Sequence, residues 1–169
     1  MGRLIETVNK AMTNQNFAFS TPEGYPHVIT SYARYQGSTY YLVFQEFEDM
    51  QVLQMRMIAP QPIPPEHRLT ASQFLTRVNL RFRLGFFALD LDDGEVSFRL
   101  SYDLEDTPLS EKLVMNMIHC GIQTIAWAFP AIMSICFGGK SDLEALQELD
   151  GPRVGVEVQL AVNSTDAVQ

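Results

Sequence analysis

Apolar residues recur at helical spacing over the first dozen positions: Leu4, Ile5, Val8 and Met12 share one stripe, and Arg3, Glu6 and Lys10 lie off it. The pattern predicts an amphipathic helix. After Pro22, Gly24 and Pro26 the texture changes to β-branched and aromatic residues, with runs at Val28 to Tyr35 and Thr39 to Gln45 on either side of Gln36-Gly37-Ser38. Such runs around a short turn predict a hairpin. A second turn at Glu46 to Met50 leads to Val52 to Ala59, where Leu53, Met55 and Met57 alternate with Gln54 and Arg56, giving three antiparallel strands. The stretch from Ala59 to Pro65 holds Pro60, Pro62, Pro64 and Pro65. It lacks most of the backbone donors a sheet needs and favours extended geometry, so it must be a connection. Helical spacing resumes from Thr70 to Phe82, with Phe74, Leu75 and Val78 on one side.

Between Gly85 and Tyr102 the chain reads as a second hairpin. With Asp93-Gly94 at the centre of a two-residue turn, Leu91 faces Val96, Leu89 faces Phe98, Phe87 faces Leu100 and Gly85 faces Tyr102, so one face is almost wholly apolar. The other face then pairs Asp90 with Ser97 and Ala88 with Arg99. Thr107-Pro108 next suggests a cap with proline in the first turn of a long helix, and Glu111 falls near its positive end. Along that helix Val114, Ile118, Ile122, Ile125, Phe129 and Ile132 form an apolar stripe, and Lys112, Asn116, His119 and Gln123 a polar one. Continued by four residues, the polar stripe arrives at Trp127, the sole tryptophan, where the helix becomes apolar all round. A helix end of that kind has to be covered, by the sheet, by a second subunit or by a partner.

Past Gly139, Ser141-Asp142-Leu143-Glu144 has the form of a capping box, predicting a short helix over residues 142–149. Val154, Val156, Val158, Leu160 and Val162 then alternate with small or polar residues, which is the pattern of a strand over 154–162. A lone strand must pair with a sheet edge of its own subunit, of a neighbour or of a partner protein, or stay mobile. The expected class is therefore α+β: an antiparallel sheet of about five strands with helices packed on it, in the order α-β-β-β-α-β-β-α. Residues 1–139 form the domain and residues 140–169 an extension.

At 169 residues, with 46% hydrophobic and 19% charged side chains, the chain has the size and composition of one domain able to bury a core. A net charge of −8 repels phosphate backbones, and no basic run offsets it, so nucleic acid is not an expected partner. Cys120 and Cys136 lie sixteen positions apart in one helix, about 24 Å at the helical rise, and cannot bridge there. No disulfide framework and no uninterrupted apolar leader are visible, so the expected compartment is the cytoplasm and Asn163-Ser164-Thr165 an idle glycosylation match. The apolar run Ile122 to Phe137 is about sixteen residues where a membrane span needs about twenty, and Pro130 interrupts it. It reads as a buried core helix, with no membrane span expected.

No motif in the chain carries chemistry. Gly139-Lys140-Ser141 resembles the end of a phosphate-binding loop, but the required first glycine falls on Ser134 and the string follows a helix instead of a strand. Asp90, Asp92, Asp93, Gly94 and Glu95 suggest a calcium loop, yet the spacing is short by one and the flanks are strands. His119 and Cys120 point about 100° apart on a helix, and no second pair offers zinc spacing. His27 and His67 lie in proline-rich turns with no nucleophile arranged beside them. Pro62 and Pro65 form a minimal PxxP that is better explained as a stiff spacer. Neither a cofactor nor a metal is expected, and no residue is expected to be catalytic.

The run "VNLRFRLGFFALDLDDGEVSFRLSYDLEDTPLSEKLV" and the later "AFPAIMSICFGG" resemble the YbjN family in their sequence of helix end, glycine, strand, acidic turn, strand, proline-marked helix and aromatic-proline step. The resemblance is strongest from Val78 to Gly139 and covers the first 139 residues more loosely. It implies the fold of the class I type III secretion chaperones and a homodimer that binds protein segments, and some family members are described as regulators of stress or signalling. On that footing the expected function is a non-catalytic, chaperone-like or adaptor module holding a segment of a client protein. Trp127, Phe129, Met133, Phe86 and Tyr102 are its candidate partner-binding residues, and the eight methionines suit varied partners. The competing expectation is a small-ligand sensor or regulator, or less readily an enzyme, with a pocket between the long helix and the sheet lined by Tyr40, Tyr102, His119 and Arg99. No nucleophile, base and orienter set is readable from spacing to support the enzyme.

Overall fold

A computed structural model of the chain describes residues 2–105 and 107–149. The expected strand over 154–162 lies outside the described residues. The elements follow as α1 (Arg3–Asn14), β1 (Phe19–Ser20), β2 (Val28–Tyr35), β3 (Ser38–Phe47), β4 (Val52–Ile58), α2 (Arg68–Asn79), β5 (Phe86–Leu89), β6 (Val96–Asp103), α3 (Glu111–Gly138) and α4 (Asp142–Glu148). The strands form one antiparallel sheet in the order β1-β2-β3-β4-β6-β5. The α+β class and the expected order hold, with a sixth strand added. β1 escaped notice because two residues are too short for an alternation to register.

Strand alternation sends one set of side chains to the helices and the other away from them. Ile29, Ala33, Tyr35, Tyr40, Leu42, Phe44, Leu53, Met55, Met57, Phe87, Phe98 and Leu100 point to the helical side and are buried there. α3 lies against the centre of this face, presenting Val114, Ile118, Ile122, Ile125 and Ile132. Each such side chain contributes roughly 1.5–3 kcal/mol on full burial. The stripe thus outweighs the cost of about 3 kcal/mol for a proline inside a helix. For that reason Pro130, expected to interrupt the run, sits on the exposed side of an unbroken helix. Gly121 is the point of closest approach: a Cβ there would lie 2.6 Å from Met55 Cε and 3.4 Å from Met57 Cβ.

Tertiary caps fix the helix ends. Gly2 offers no side chain to cap α1, and the buried carboxylate of Glu46 on β3 does so, accepting from Leu4 N at 3.1 Å and Ile5 N at 3.0 Å. A negative charge at a helix N-terminus is favourable, and this one ties the first helix to the sheet. The cap of α3 is Ser110, whose Oγ accepts from Leu113 N at 3.1 Å, in place of the expected Thr107. Thr107 Oγ1 instead donates to Glu105 O at 3.3 Å. Glu111 does lie in the first turn, where its carboxylate takes bonds from Lys10 at 3.2 Å and Asn14 at 2.8 Å of α1. These contacts hold the carboxyl below the ordinary range, with Asn14 the larger influence. At the other end Gly139 closes α3 in the left-handed conformation at φ 66°. The expected capping box of Ser141 and Glu144 then opens α4. Backbone and hydroxyl bonds from Ser141 lower the Glu144 pKa.

The first hairpin forms as expected but one residue tighter: Gln36 at φ 48° and Gly37 at φ 78° make a two-residue turn, and Ser38, expected in the turn, pairs with Tyr35. The second differs in register. Leu89 faces Val96 and Phe87 faces Phe98, two residues away from the expected pairing, and Asp90 to Glu95 form a six-residue loop. A two-residue slip leaves every side chain on its expected face, which is why alternation alone could not detect it. Arg68 selects the longer loop: its Nη1 donates to Leu91 O at 2.8 Å and Asp92 O at 2.9 Å, and its Nε to Ile63 O at 3.1 Å. Gly94, at φ 85°, has its backbone pressed against Ile63 O, leaving no room for a side chain.

The Gly121 contact yields a test. Gly121→Val should lower stability by about 1–3 kcal/mol through overpacking. Gly121→Ala should stay within about 1 kcal/mol of wild type, since alanine's helix propensity offsets the displacement of the flexible Met55 tip. Urea unfolding midpoints measure both, and a valine variant as stable as wild type would contradict the packing described.

Candidate functional site

The strand residues that point away from the helices make a second surface. Registers place them in rows across the sheet: Thr30, Val43, Arg56, Arg99 and Phe86 in one, and Tyr32, Tyr41, Ile58, Ser97 and Ala88 in the next. Val43 and Ile58 are buried yet stand apart from the main core cluster. Tyr32 is 65% exposed, its ring centroid 5.1 Å from that of Tyr41. Phe86 is 48% exposed and leads back into the α2–β5 connection, where Leu84 is 58% and Leu80 87% exposed. Leu80, Leu84 and Phe86 thus form an exposed apolar run along the chain that enters β5, whose outward residues lie on a sheet face where no described helix packs.

Main-chain pairing at the outer edge of this sheet is restricted. Asn79, the last residue of α2, accepts from Phe87 N at 2.7 Å and donates Nδ2 to Phe87 O at 3.0 Å. One side chain thereby occupies both backbone groups that Phe87 would offer to an added strand, a device that blunts edge pairing. Asn79 and Leu80 did not stand out in the sequence because the stretch from Thr70 to Phe82 read as helix, and Leu84 fell between that helix and the hairpin. The alternation Leu80, Phe82, Leu84, Phe86 was the available signal.

The sequence candidates are dispersed over the molecule. Trp127 is half-buried, its ring edge-on to Phe82 at 6.0 Å, and Phe82 also meets Phe87 at 5.8 Å and Phe98 at 5.6 Å. The chain's own aromatic cluster thus packs against the tryptophan. Phe129, two positions on and so about 200° round the helix, stacks edge-on to Tyr40 at 6.1 Å. Met133 and Tyr102 are half-buried against the core, and Phe86 alone of the five lies on the sheet face where no described helix packs. The four residues of the expected ligand pocket are likewise apart. Tyr40 is buried in the core, and burial raises its pKa; Tyr102 leans on the helical side, and Arg99 points to the opposite face. Where that pocket was expected, Met55 and Met57 fill the space beneath Gly121.

His119 borders a cleft of about 400 Å³ between α1 and α3, with Ala11, Gln15, Glu111, Lys112 and Met115. Burial raises the Cys136 thiol pKa, which keeps it protonated and unreactive. Among the described residues no group of three or more His, Cys, Asp or Glu side chains could hold a metal. α3 is long and apolar enough to cross a membrane by length and composition, and half of its most apolar window is buried against the rest of the chain. Gly139-Lys140-Ser141 is the α3 cap and the α4 capping box, and the acidic string at 90–95 is the hairpin loop held by Arg68.

A family model described as "YbjN: Putative bacterial sensory transduction regulator" matches residues 5–133. The chain belongs to the YbjN family. The fold agrees: the crystal structure of "YbjN, a putative transcription regulator from E. coli" superposes with a TM-score of 0.51 at 8% identity, covering 69% of this chain and 82% of that one. At that identity the likeness is one of fold. No curated protein matches the chain. The YbjN match stops at residue 133, within α3, so α4 lies beyond it. Even so, α4 joins the same core through Ala145 and Leu149, and Asp142 accepts from Arg77 Nε at 2.6 Å.

The edge contact predicts a specific failure. Asn79→Ala should cost about 1–2 kcal/mol through the lost bonds. It should also speed aggregation on mild warming, because the Phe87 backbone becomes free to pair. Light scattering against time checks this, and an unchanged aggregation rate would mean that the amide does not guard the edge.

Proposed function

We propose that this YbjN-family protein is a non-catalytic adaptor of a bacterial regulatory pathway, a cytoplasmic homodimer that holds a segment of a client protein. The observation that carries the reading is the exposed apolar rim of Leu80, Leu84 and Phe86, the last on a sheet face where no described helix packs. Three large apolar side chains exposed within seven residues of chain destabilise nothing when water surrounds them but gain on being covered, which is how protein-binding surfaces are marked. The family's description as a regulator fits an adaptor, and the secretion-chaperone likeness implied by the sequence fits the holding of a segment. For the homodimer, support comes from the helical side, where Phe137 and Leu143 stand exposed on either side of the Gly139 turn.

With the rim as the working surface, side-chain pockets rather than strand addition at β5 give the affinity, since Asn79 already takes the Phe87 backbone groups in the middle of that edge. Trp127 then supports the rim from behind through Phe82. A truncation of Trp127 is a poor probe, because opening the cluster would cost about 3–5 kcal/mol and unfold part of the binding surface with it.

Leu80→Asp and Leu84→Asp are the informative variants. Both should unfold within about 0.5 kcal/mol of wild type, yet lose the protein captured by wild type from a native bacterial lysate. A wild type that captures nothing beyond what Leu84→Asp captures would overturn the adaptor. Sedimentation at micromolar concentration should give twice the 19.1 kDa chain mass, and Phe137→Asp should reduce it to one; a wild-type monomer would remove the homodimer.

A further inference from the structure

We propose that the sheet face on which no described helix packs is a docking site for an acidic segment of another protein, recognised by Arg56 and Arg99. This names the partner chemistry of the adaptor reading above and rests on it. The two arginines face each other directly across β4 and β6. Like charges in that position oppose one another and do not stabilise a sheet. Among the described residues no carboxylate pairs with either guanidinium. The Nε of Arg56 is buried without an acceptor, and Arg99 Nε reaches only Ser97 Oγ, at 3.2 Å.

The surroundings define what fits. Phe86 stands opposite Arg99 on the outer side, Val43 opposite Arg56 on the inner side, and Tyr32, Tyr41 and Ile58 fill the neighbouring row. A carboxylate laid between the two guanidiniums would accept from both, and apolar side chains on either side of it would rest on Phe86 and on the tyrosine pair. The protein carries a net charge of −8, so this pair is a local positive spot in a negative field. It attracts an acidic group while the rest of the surface repels long polyanions. A second copy docked face to face about the pair would set arginine against arginine, which rules it out as the occupant.

The test uses the full chain and a short fluorescent peptide of alternating glutamate and phenylalanine, with a second peptide in which glutamine replaces glutamate. Wild type should bind the glutamate peptide about tenfold or more tighter than the glutamine one, with affinity falling as salt rises. Arg56→Gln combined with Arg99→Gln should abolish that preference while unfolding no earlier than wild type, since it relieves a repulsion. Arg34→Gln, on the same face but outside the pair, should leave the preference intact. Equal binding of the two peptides, a double variant that binds like wild type, tighter binding of polyuridine RNA than of the glutamate peptide, or a double variant of altered oligomeric mass would each overturn the proposal. Client capture that survives the double variant but is lost in Leu84→Asp would overturn this inference alone and leave the adaptor standing.

Discussion

Everything in this fold depends on α3 lying against the middle of the sheet. Its isoleucine stripe and the alternate residues of β3, β4 and β6 bury one another, and Gly121 lets the helix backbone come down onto Met55 and Met57. With α1 beside it and α2 and α4 at its far end, one side of the sheet is filled. The apolar burial there dominates the energetics. The described helices all pack on that one side, so among the described residues the other side of the sheet carries no helix.

That second side has properties a merely solvated face would not need. It carries a small buried floor in Val43 and Ile58, a tyrosine pair, an opposed pair of arginines and an exposed phenylalanine, and it runs into an apolar rim at Leu80 and Leu84. The edge beside it is guarded by Asn79, whose amide satisfies the Phe87 backbone. Protecting an edge while leaving a face open allows partners to be selected by side-chain chemistry without inviting indiscriminate strand pairing. These features accord with membership of a family described as regulators.

The aromatic cluster around Trp127 shows what meets the apolar end of α3 from within the chain. The reasoning that the apolar end of α3 must be covered was sound, and Phe82 and the β5–β6 hairpin meet it from within the chain. Phe82 was assigned to a helix that in fact ends at Asn79. Released from the helix, it turns inward, while Leu80 and Leu84 on either side of it turn outward. Where a helix ends therefore decided which residues are surface.

By itself the sequence determined the family, the α+β class, the helices, five of the six strands and the face to which each strand residue points. Those follow from periodicities of two and of about 3.6, which are local properties of the chain. Tertiary structure decided the hairpin register, through Arg68 reaching across from α2 to the loop carbonyls. It also decided the capping of α1 by Glu46, the covering of Trp127, and the meeting of Arg56 with Arg99 forty-three positions later in the chain. Each of these joins residues distant in sequence, and no local pattern carries the information that they will touch.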